Sequence, residues 1–262
     1  LGVALALALG GCASAPKGAL QTLPFPSPDS GPGRPALGRG DATALEAGWQ
    51  ALLRGDAAEA EARAGTLAAG PAERLLALQA SLVAGGPAPV GELTELTEAA
   101  PKYAAAWLTL SVAAERAGDE KTALDAASRG AALWPERRWE ERVAELRARW
   151  IDDRLESARR LSSEGSQAAA VGALAAVLAL EPNNRDARIL QARALTGLGD
   201  LDRAEAALAG LPRDAEVVLA AGAIAEARGD RKAAIRIYSS LPDALEPTLR
   251  AIALAEADGD WL

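Results

Sequence analysis

The chain has 262 residues, of which 50% are hydrophobic but only 3% aromatic, so alanine and leucine must supply most of any core. Its net charge of −8 at pH 7 argues against nucleic acid or an anionic membrane surface as the main partner. It has no histidine and a single cysteine, which removes the commonest general base and metal ligand and any internal disulfide.

The first twelve residues form an apolar run that ends in Gly10-Gly11-Cys12. A membrane span needs about 20 apolar residues, so this run is too short to cross a bilayer. It is similar to the apolar core of a signal peptide whose basic start is missing, and we expect residues 1–11 to be such a partial signal peptide. Leu9-Gly10-Gly11-Cys12 resembles the bacterial lipobox, which implies lipidation at Cys12 and, with Ala13 next to it, an outer-membrane address.

Residues 12–40 follow as a segment rich in proline and glycine. Six of the fifteen prolines lie here, at Pro16, Pro24, Pro26, Pro28, Pro32 and Pro35. Such a composition cannot bury a core, so we predict a disordered tether behind the lipidated N-terminus. Pro24-Phe25-Pro26 could instead be a docking peptide, but a plain tether is the favoured interpretation.

From residue 41 the chain carries a recurring Gly-Asp pair. It occurs at Gly55-Asp56, Gly118-Asp119, Gly199-Asp200, Gly229-Asp230 and Gly259-Asp260, with Gly165-Ser166 as a variant. Glycine ends a helix by taking positive φ, and the following aspartate accepts hydrogen bonds from the N–H groups that open the next helix. Each pair therefore predicts a turn between two helices.

Small residues keep a fixed distance from these turns. Five residues after the turn glycines come Ala60, Ala123, Ala170, Ala204 and Ala234, and seven residues before them come Gly48, Ser111, Ala158, Ala192 and Gly222. Close packing of two helices needs small residues where the backbones approach. We predict hairpins with helices over 43–54 and 57–69, 71–84 and 89–100, and 102–117 and 120–134, which together form N-terminal repeats over 41–135.

The spacing breaks in the middle of the chain, where residues 136–164 contain neither glycine nor proline. Trp139, Val143, Leu146 and Trp150 follow a helical period and predict one apolar face. Between residues 136 and 160, eight arginines oppose seven acidic residues, which indicates a solvated, ion-paired face. We predict a long helix here, a helix over 167–180 that completes the fourth hairpin, and C-terminal repeats over the rest of 136–262. Whether 136–164 is one helix or two, and whether it is a joint between two sub-arrays, stays open.

The hairpins resemble tetratricopeptide repeats (TPRs), helix hairpins of about 34 residues. The clearest match is Trp107-Leu-Thr-Leu110-Ser111, followed by Gly118-Asp119, Ala123 and Pro135. The resemblance covers residues 41 to the end and implies an all-α fold, an α-solenoid of about six to seven antiparallel hairpins in a right-handed superhelix.

In this family the first helix of each hairpin lines a groove that binds segments of partner proteins. The groove candidates that the resemblance implies here are Trp49, Glu115, Arg159, Arg193 and Glu226. The Lys/Asn set with which chaperone-binding members hold a C-terminal carboxylate is not matched. Its positions hold Leu108, Val112, Leu155, Arg159, Ile189 and Arg193.

The sequence offers little support for catalysis. Ser162-Ser163-Glu164 and Asp152-Asp153 lack a histidine partner, and helix caps and solvated faces account for them better. No cysteine cluster, phosphate-binding glycine loop or calcium loop appears, so we expect no enzyme activity, cofactor, metal or small-molecule substrate.

The leading hypothesis is a non-enzymatic adaptor of the bacterial cell envelope, anchored in the outer membrane and facing the periplasm. It would hold a protein partner during assembly of a larger machine, and it resembles lipidated TPR proteins such as secretin pilotins and β-barrel assembly subunits. The alternatives are the N-terminal part of a longer chain whose remainder is enzymatic, for instance on the cell wall, and a cytosolic regulatory module.

Overall fold

The computed structural model describes residues 23–258, excepting the side chain of Asp258, and this part of the chain is all-α. The prediction of an all-α array of TPR-like hairpins is confirmed. Its thirteen helices are α1 Arg39–Leu53, α2 Ala57–Ala64, α3 Pro71–Ala84, α4 Val90–Ala99, α5 Ala104–Arg116, α6 Glu120–Leu133, α7 Arg137–Ser163, α8 Gln167–Leu180, α9 Arg185–Gly197, α10 Leu201–Leu208, α11 Ala215–Ala227, α12 Arg231–Tyr238 and α13 Leu245–Asp258.

The turns between paired helices have the predicted chemistry. Gly55, Gly118, Gly165, Gly199 and Gly229 all have φ between 76° and 79°, the left-handed region that favours glycine. Asp56, Asp119, Asp200 and Asp230 each accept a hydrogen bond from the backbone N–H three residues later, at 2.9–3.4 Å. Ser166 makes no such side-chain bond. Gly259-Asp260 lies outside the described residues.

The chain divides into two compact units, one ending at Arg147 and the other beginning at Ala148. The division of the repeats at 135/136 stays a prediction, and the boundary between the compact units lies within α7, inside the 136–164 stretch considered as a joint. That stretch forms a single helix of 27 residues. Unit 1 contains the hairpins α1–α2, α3–α4 and α5–α6 and the first part of α7, and unit 2 contains the rest of α7 with α8, then α9–α10 and α11–α12 followed by α13.

Small residues at the helix crossings form the centre of each hairpin. Ala60, Ala123, Ala170, Ala204 and Ala234 are all fully buried. A Cβ built on Gly48 would lie 2.6 Å from Leu76 Cδ2, and one built on Gly222 would lie 2.2 Å from Tyr238 Cε1. The predicted steric role of the small positions is thereby confirmed.

Several helix bounds match the sequence patterns closely, and others do not. α3 and α8 coincide with the predicted 71–84 and 167–180. α2 has only 8 residues where 57–69 was predicted. It ends at Ala64, with Gly65 as the capping residue. The backbone N–H groups of Thr66 and Leu67 donate to carbonyls of its last turn, so residues 65–70 become a connection to Pro71.

No helix within residues 23–258 is both long and apolar enough to span a bilayer.

Candidate peptide-binding faces

Residues 23–34 form an irregular strap that packs on the first helices of unit 1. Phe25, Pro26 and Pro28 are buried, whereas Pro24 and Asp29 are exposed. The prediction of a disordered tether is therefore wrong for this part of the 12–40 segment. Its backbone carbonyls and one aromatic ring find partners that composition alone does not reveal. Residues 12–22, including Cys12, lie outside the described residues.

Phe25 anchors the strap. Its side chain is 4% exposed and belongs to the hydrophobic cluster that α3, α4 and α5 build around Leu75 and Leu93. Its ring meets the Trp49 ring of α1 edge to face, with centroids 6.4 Å apart and an interplanar angle of 61°. Such aromatic pairs add stability beyond the area that they bury.

Three proline carbonyls of the strap accept hydrogen bonds from unit 1. Gln79 Nε2 in α3 donates to the Pro26 carbonyl at 2.9 Å, the Tyr103 hydroxyl donates to the Pro28 carbonyl, and the Ala104 N–H donates to the Pro32 carbonyl at 3.0 Å. Proline has no N–H of its own, so a proline-rich segment offers mainly acceptors. The face beneath supplies the matching donors.

Two of these donors are themselves held in place. Gln79 is fully buried, and its Nε2 also donates to Thr109 Oγ1 at 3.0 Å. Tyr103 is 1% exposed; burial raises the pKa of its hydroxyl above the ordinary value, and the carboxylate of Asp29 raises it further. The hydroxyl therefore stays protonated, and remains a donor, even at a pH at which an exposed tyrosine ionises.

Two glycines let the strap approach the repeats closely. Gly33 has φ +72°, and a Cβ there would lie 1.9 Å from the Lys102 carbonyl oxygen. Gly31 has φ +75°, and a Cβ there would lie 2.4 Å from Trp134 Cε3. Any other residue at these positions would clash as well as strain the backbone.

The strap contacts first helices at the register that the groove prediction singled out. Trp49, Arg159 and Arg193 each lie six residues before their turn glycine, and Gln79 has the same spacing from Gly85 (85 − 79 = 6). Sequence reasoning missed Gln79 because its hairpin turns at Gly85-Gly86 and has Leu78 at the small position. Counting back six residues from Gly85, which has φ +81°, would have found it.

Two other groove candidates have partners inside their own unit. Glu115 pairs with Arg142 of α7, with Oε2 and Nη2 2.6 Å apart and both side chains less than a third exposed. Glu226 accepts a hydrogen bond from the Tyr238 hydroxyl, and burial, followed by this bond, raises the pKa of Tyr238. Both carboxylates stabilise helix packing in this structure.

Arg159 and Arg193 are the candidates that face solvent. The Arg159 side chain is 48% exposed, and its Nη1 lies 3.7 Å from Glu156 Oε2 one helical turn away. Arg193 on α9 is exposed. Since 193 − 159 = 34, the two arginines occupy equivalent positions on the first helices of successive hairpins in unit 2.

A cleft of about 520 Å³ lies between α10, α11 and α12 in unit 2. Its lining is largely apolar and includes Leu208, Val217 and Ile224. Arg228 at its edge is paired with Asp202 at 2.7 Å and Glu205 at 2.8 Å. Two carboxylates thus neutralise the Arg228 guanidinium.

Acidic and sulfur ligands do not gather into a metal site anywhere in residues 23–258. Asp152 and Asp153 lie on exposed positions of α7, and Ser163 Oγ donates to the Arg160 carbonyl at 2.7 Å, as a helix end does. These placements agree with the solvated-face and capping interpretations of these residues.

Comparison with known proteins supports the same repeat type. Residues 161–217, which include α8, α9 and α10, match the Tetratricopeptide repeat family. No curated protein matches the chain.

Similar solved structures include the TPR2AB-domain:pHSP90 complex of yeast Sti1, at 11% identity, 84% coverage of this chain, 96% of that chain and TM-score 0.37. A tetratricopeptide repeat protein from Parabacteroides merdae has 13% identity, coverages of 85% and 88%, and TM-score 0.38. The MamA protein has 16% identity, coverages of 75% and 96%, and TM-score 0.31. The family match over residues 161–217 is what links this chain to TPR proteins.

Proposed function

We propose that this chain is a non-enzymatic scaffold whose first-helix faces bind segments of partner proteins. The observation that carries the proposal is the strap itself. The first helices of unit 1 hold an irregular peptide segment through one aromatic anchor and through donors aimed at its backbone carbonyls. A surface that donates hydrogen bonds to backbone carbonyls in this way suits a peptide of another protein equally well.

In unit 2 the corresponding face offers Arg159 and Arg193, two exposed cations in one register. A partner segment that carries carboxylates would complement them, and arginine binds carboxylates with two parallel hydrogen bonds. A chaperone-type tail site is not proposed, because Leu108, Leu155 and Ile189 are buried apolar residues where that site needs polar ones.

The location of the scaffold is proposed from the sequence. Leu9-Gly10-Gly11-Cys12 supports lipidation of Cys12, and Ala13 after it supports the outer membrane of the bacterial envelope, with the repeats facing the periplasm. The partner would then belong to an envelope machine, such as a pilus secretin or an outer-membrane assembly complex. Phe25, the aromatic anchor of the strap, lies thirteen residues after Cys12 (25 − 12 = 13), which would keep unit 1 close to the membrane.

Partner capture tests the scaffold. The full chain is used as bait in envelope extracts, beside Arg159→Glu with Arg193→Glu and beside a control, Arg129→Glu with Arg236→Glu, which alters exposed arginines on the second helices α6 and α12. We expect one envelope protein to bind wild type and control and to bind the first variant at least tenfold more weakly. Equal binding by all three forms would contradict the groove assignment.

The same extracts test the anchor. Wild type should partition with membranes and carry the mass of a lipid on Cys12, whereas Cys12→Ser should appear in the soluble fraction. An unmodified Cys12 in the membrane form would remove the envelope half of the proposal and leave the scaffold half standing.

A further inference from the structure

We infer that the first-helix face of unit 1 is a binding site for a partner segment with an aromatic residue followed by alternating prolines. The strap is its resident occupant, so such a partner binds only where the strap has left. This inference rests on the proposed function in treating first-helix faces as peptide sites, and it adds the ligand chemistry and the competition within one chain.

The ligand chemistry follows from the contacts that the strap makes. The face provides one aromatic-lined position beside Trp49 and donors for the carbonyls of Pro26, Pro28 and Pro32. In these contacts the face accepts no hydrogen bond from an N–H group of the strap. A sequence of the type aromatic-Pro-x-Pro, as in Phe25-Pro26-Ser27-Pro28, meets these requirements because proline supplies acceptors and a stiff backbone at little entropic cost.

The strap also has the properties of an occupant that can leave. It contains no helix, and Ser30 N–H to the Ser27 carbonyl, at 3.1 Å, is its internal backbone bond. Phe25 is its large buried anchor, while Pro24 and Asp29 remain exposed. Helices α1, α2 and α3 share a hydrophobic cluster built on Leu45, Leu52 and Leu76, against which the strap packs only its partly buried Leu23.

Displacement also changes what the face presents. Loss of the strap uncovers the Trp49 ring and frees donors on Gln79 and Tyr103, all of which are covered or bonded while the strap is docked. Buried donors without acceptors are costly, so an empty face is disfavoured and the exchange of one peptide for another is the low-cost path. Competition, rather than spontaneous opening, is therefore the expected mode of release.

The chain offers a clean probe, because Phe25 is its only phenylalanine. Full-length protein labelled with 4-fluorophenylalanine should give one ¹⁹F resonance, shifted from that of the urea-unfolded chain by burial against Trp49. An unlabelled synthetic peptide of residues 21–35 is then added in excess. We expect a second resonance at the unfolded-chain position to grow with peptide concentration, whereas a peptide carrying Phe25→Ala should leave the spectrum unchanged.

Direct binding complements this measurement. Full-length Phe25→Ala should bind the fluorescently labelled 21–35 peptide at least tenfold more tightly than wild type, because its own strap lacks the anchor. Pro24→Ala, at the exposed neighbouring position, should bind like wild type. Adding Gln79→Leu to Phe25→Ala should weaken the peptide again by removing the donor to Pro26. Circular dichroism verifies that each variant is folded.

Three results would overturn the inference. In the first, the ¹⁹F resonance stays at its buried position at all peptide concentrations and folded Phe25→Ala binds no peptide. The strap would then be a fixed part of the fold of unit 1. In the second, a resonance at the unfolded-chain position without peptide would show that the strap is not docked. In the third, sedimentation reveals a dimer that forms as the strap leaves, which would make a second copy of this chain the occupant. None of these measurements depends on Arg159, Arg193 or an envelope extract, so failure here leaves the scaffold test independent.

Discussion

Single residues at the turns decide where each hairpin bends. A glycine in the left-handed region ends one helix and the next residue, usually aspartate, satisfies the N–H groups that open the following one. Asp119 is typical: it accepts a hydrogen bond from Thr122 N–H at 3.1 Å, and its hydrogen bonds with Thr122 lower the pKa of its carboxyl group.

We expect Asp119→Ala to lower the free energy of unfolding by about 1 kcal/mol, because it leaves helix N–H groups without an acceptor. The contribution requires the carboxylate. Since the folded-state pKa lies below the ordinary 3.8, the cap acts fully above that pH and is lost as the pH falls further.

Urea denaturation of wild type and variant at neutral pH and near pH 3 measures both effects. Ser166→Asp is the matched control, because Ser166 occupies the same turn position without a side-chain cap and should gain stability from an aspartate. A destabilised Ser166→Asp together with a neutral Asp119→Ala would contradict the capping argument.

The stability of a helix pair depends on how closely the two helix backbones can approach. In α11–α12 the approach is set by Gly222, over which the Tyr238 ring lies so that a Cβ would fall 2.2 Å from Cε1. In α8, by contrast, Gly172 is exposed and a Cβ there would meet nothing within 4 Å.

The same substitution should therefore have opposite signs at the two glycines. Gly222→Ala forces the Tyr238 ring to move and should cost about 1–3 kcal/mol of unfolding free energy. Gly172→Ala should add about 0.5–1 kcal/mol, because alanine restricts the unfolded chain and favours the helix. Thermal and urea unfolding compare them, and a loss of stability in both variants would mean that packing at Gly222 is not the cause.

The helices and the strap show which features of the fold sequence patterns can and cannot predict. Turn glycines and small residues act locally or between adjacent helices, so their spacing located five hairpins. The predicted bounds of α3, which begins at Pro71, and of α8 match the structure to the residue. Docking of the strap depends on Gln79 and Tyr103, which are 53 and 75 residues away from the carbonyls that they bind. No periodicity links partners so far apart, and proline-rich composition favoured disorder.

The sequence predicted only part of the candidate site, because spacing along the chain does not reveal contacts with distant residues. The register six residues before the turn glycine does face the strap at Trp49 and solvent at Arg159 and Arg193. Register cannot tell whether a side chain is already engaged. Glu115 is paired with Arg142 from α7, a helix that lies outside the regular spacing, and Glu226 is held by Tyr238.

For the molecule as a whole, alkaline stability is a direct consequence of where its two tyrosines lie. Burial raises the pKa of both Tyr103 and Tyr238 above the ordinary 10.0. The unfolded chain would ionise them near pH 10 while the folded chain keeps them protonated. Their contribution to stability is therefore fully present below pH 10 and is lost as the pH rises above it.

We expect tyrosinate absorbance at 295 nm to rise only together with the loss of helical circular dichroism, at a pH well above 10. Tyr103→Phe should halve the absorbance change and leave the Tyr238 step. A simple titration with a midpoint near 10 in a chain that retains full helicity would show that the two hydroxyls are not buried as described.

The order of contacts along the strap determines how unit 1 would respond to a pull from its N-terminal side. Tension entering at residue 23 acts first on the packing of Leu23, then on the Phe25 ring, and then on the bonds to the carbonyls of Pro26, Pro28 and Pro32 in turn. The contacts would break one after another instead of bearing the force together. A force too weak to unfold any hairpin would thus expose the first-helix face of unit 1, so that exposure of this face would report tension on the chain.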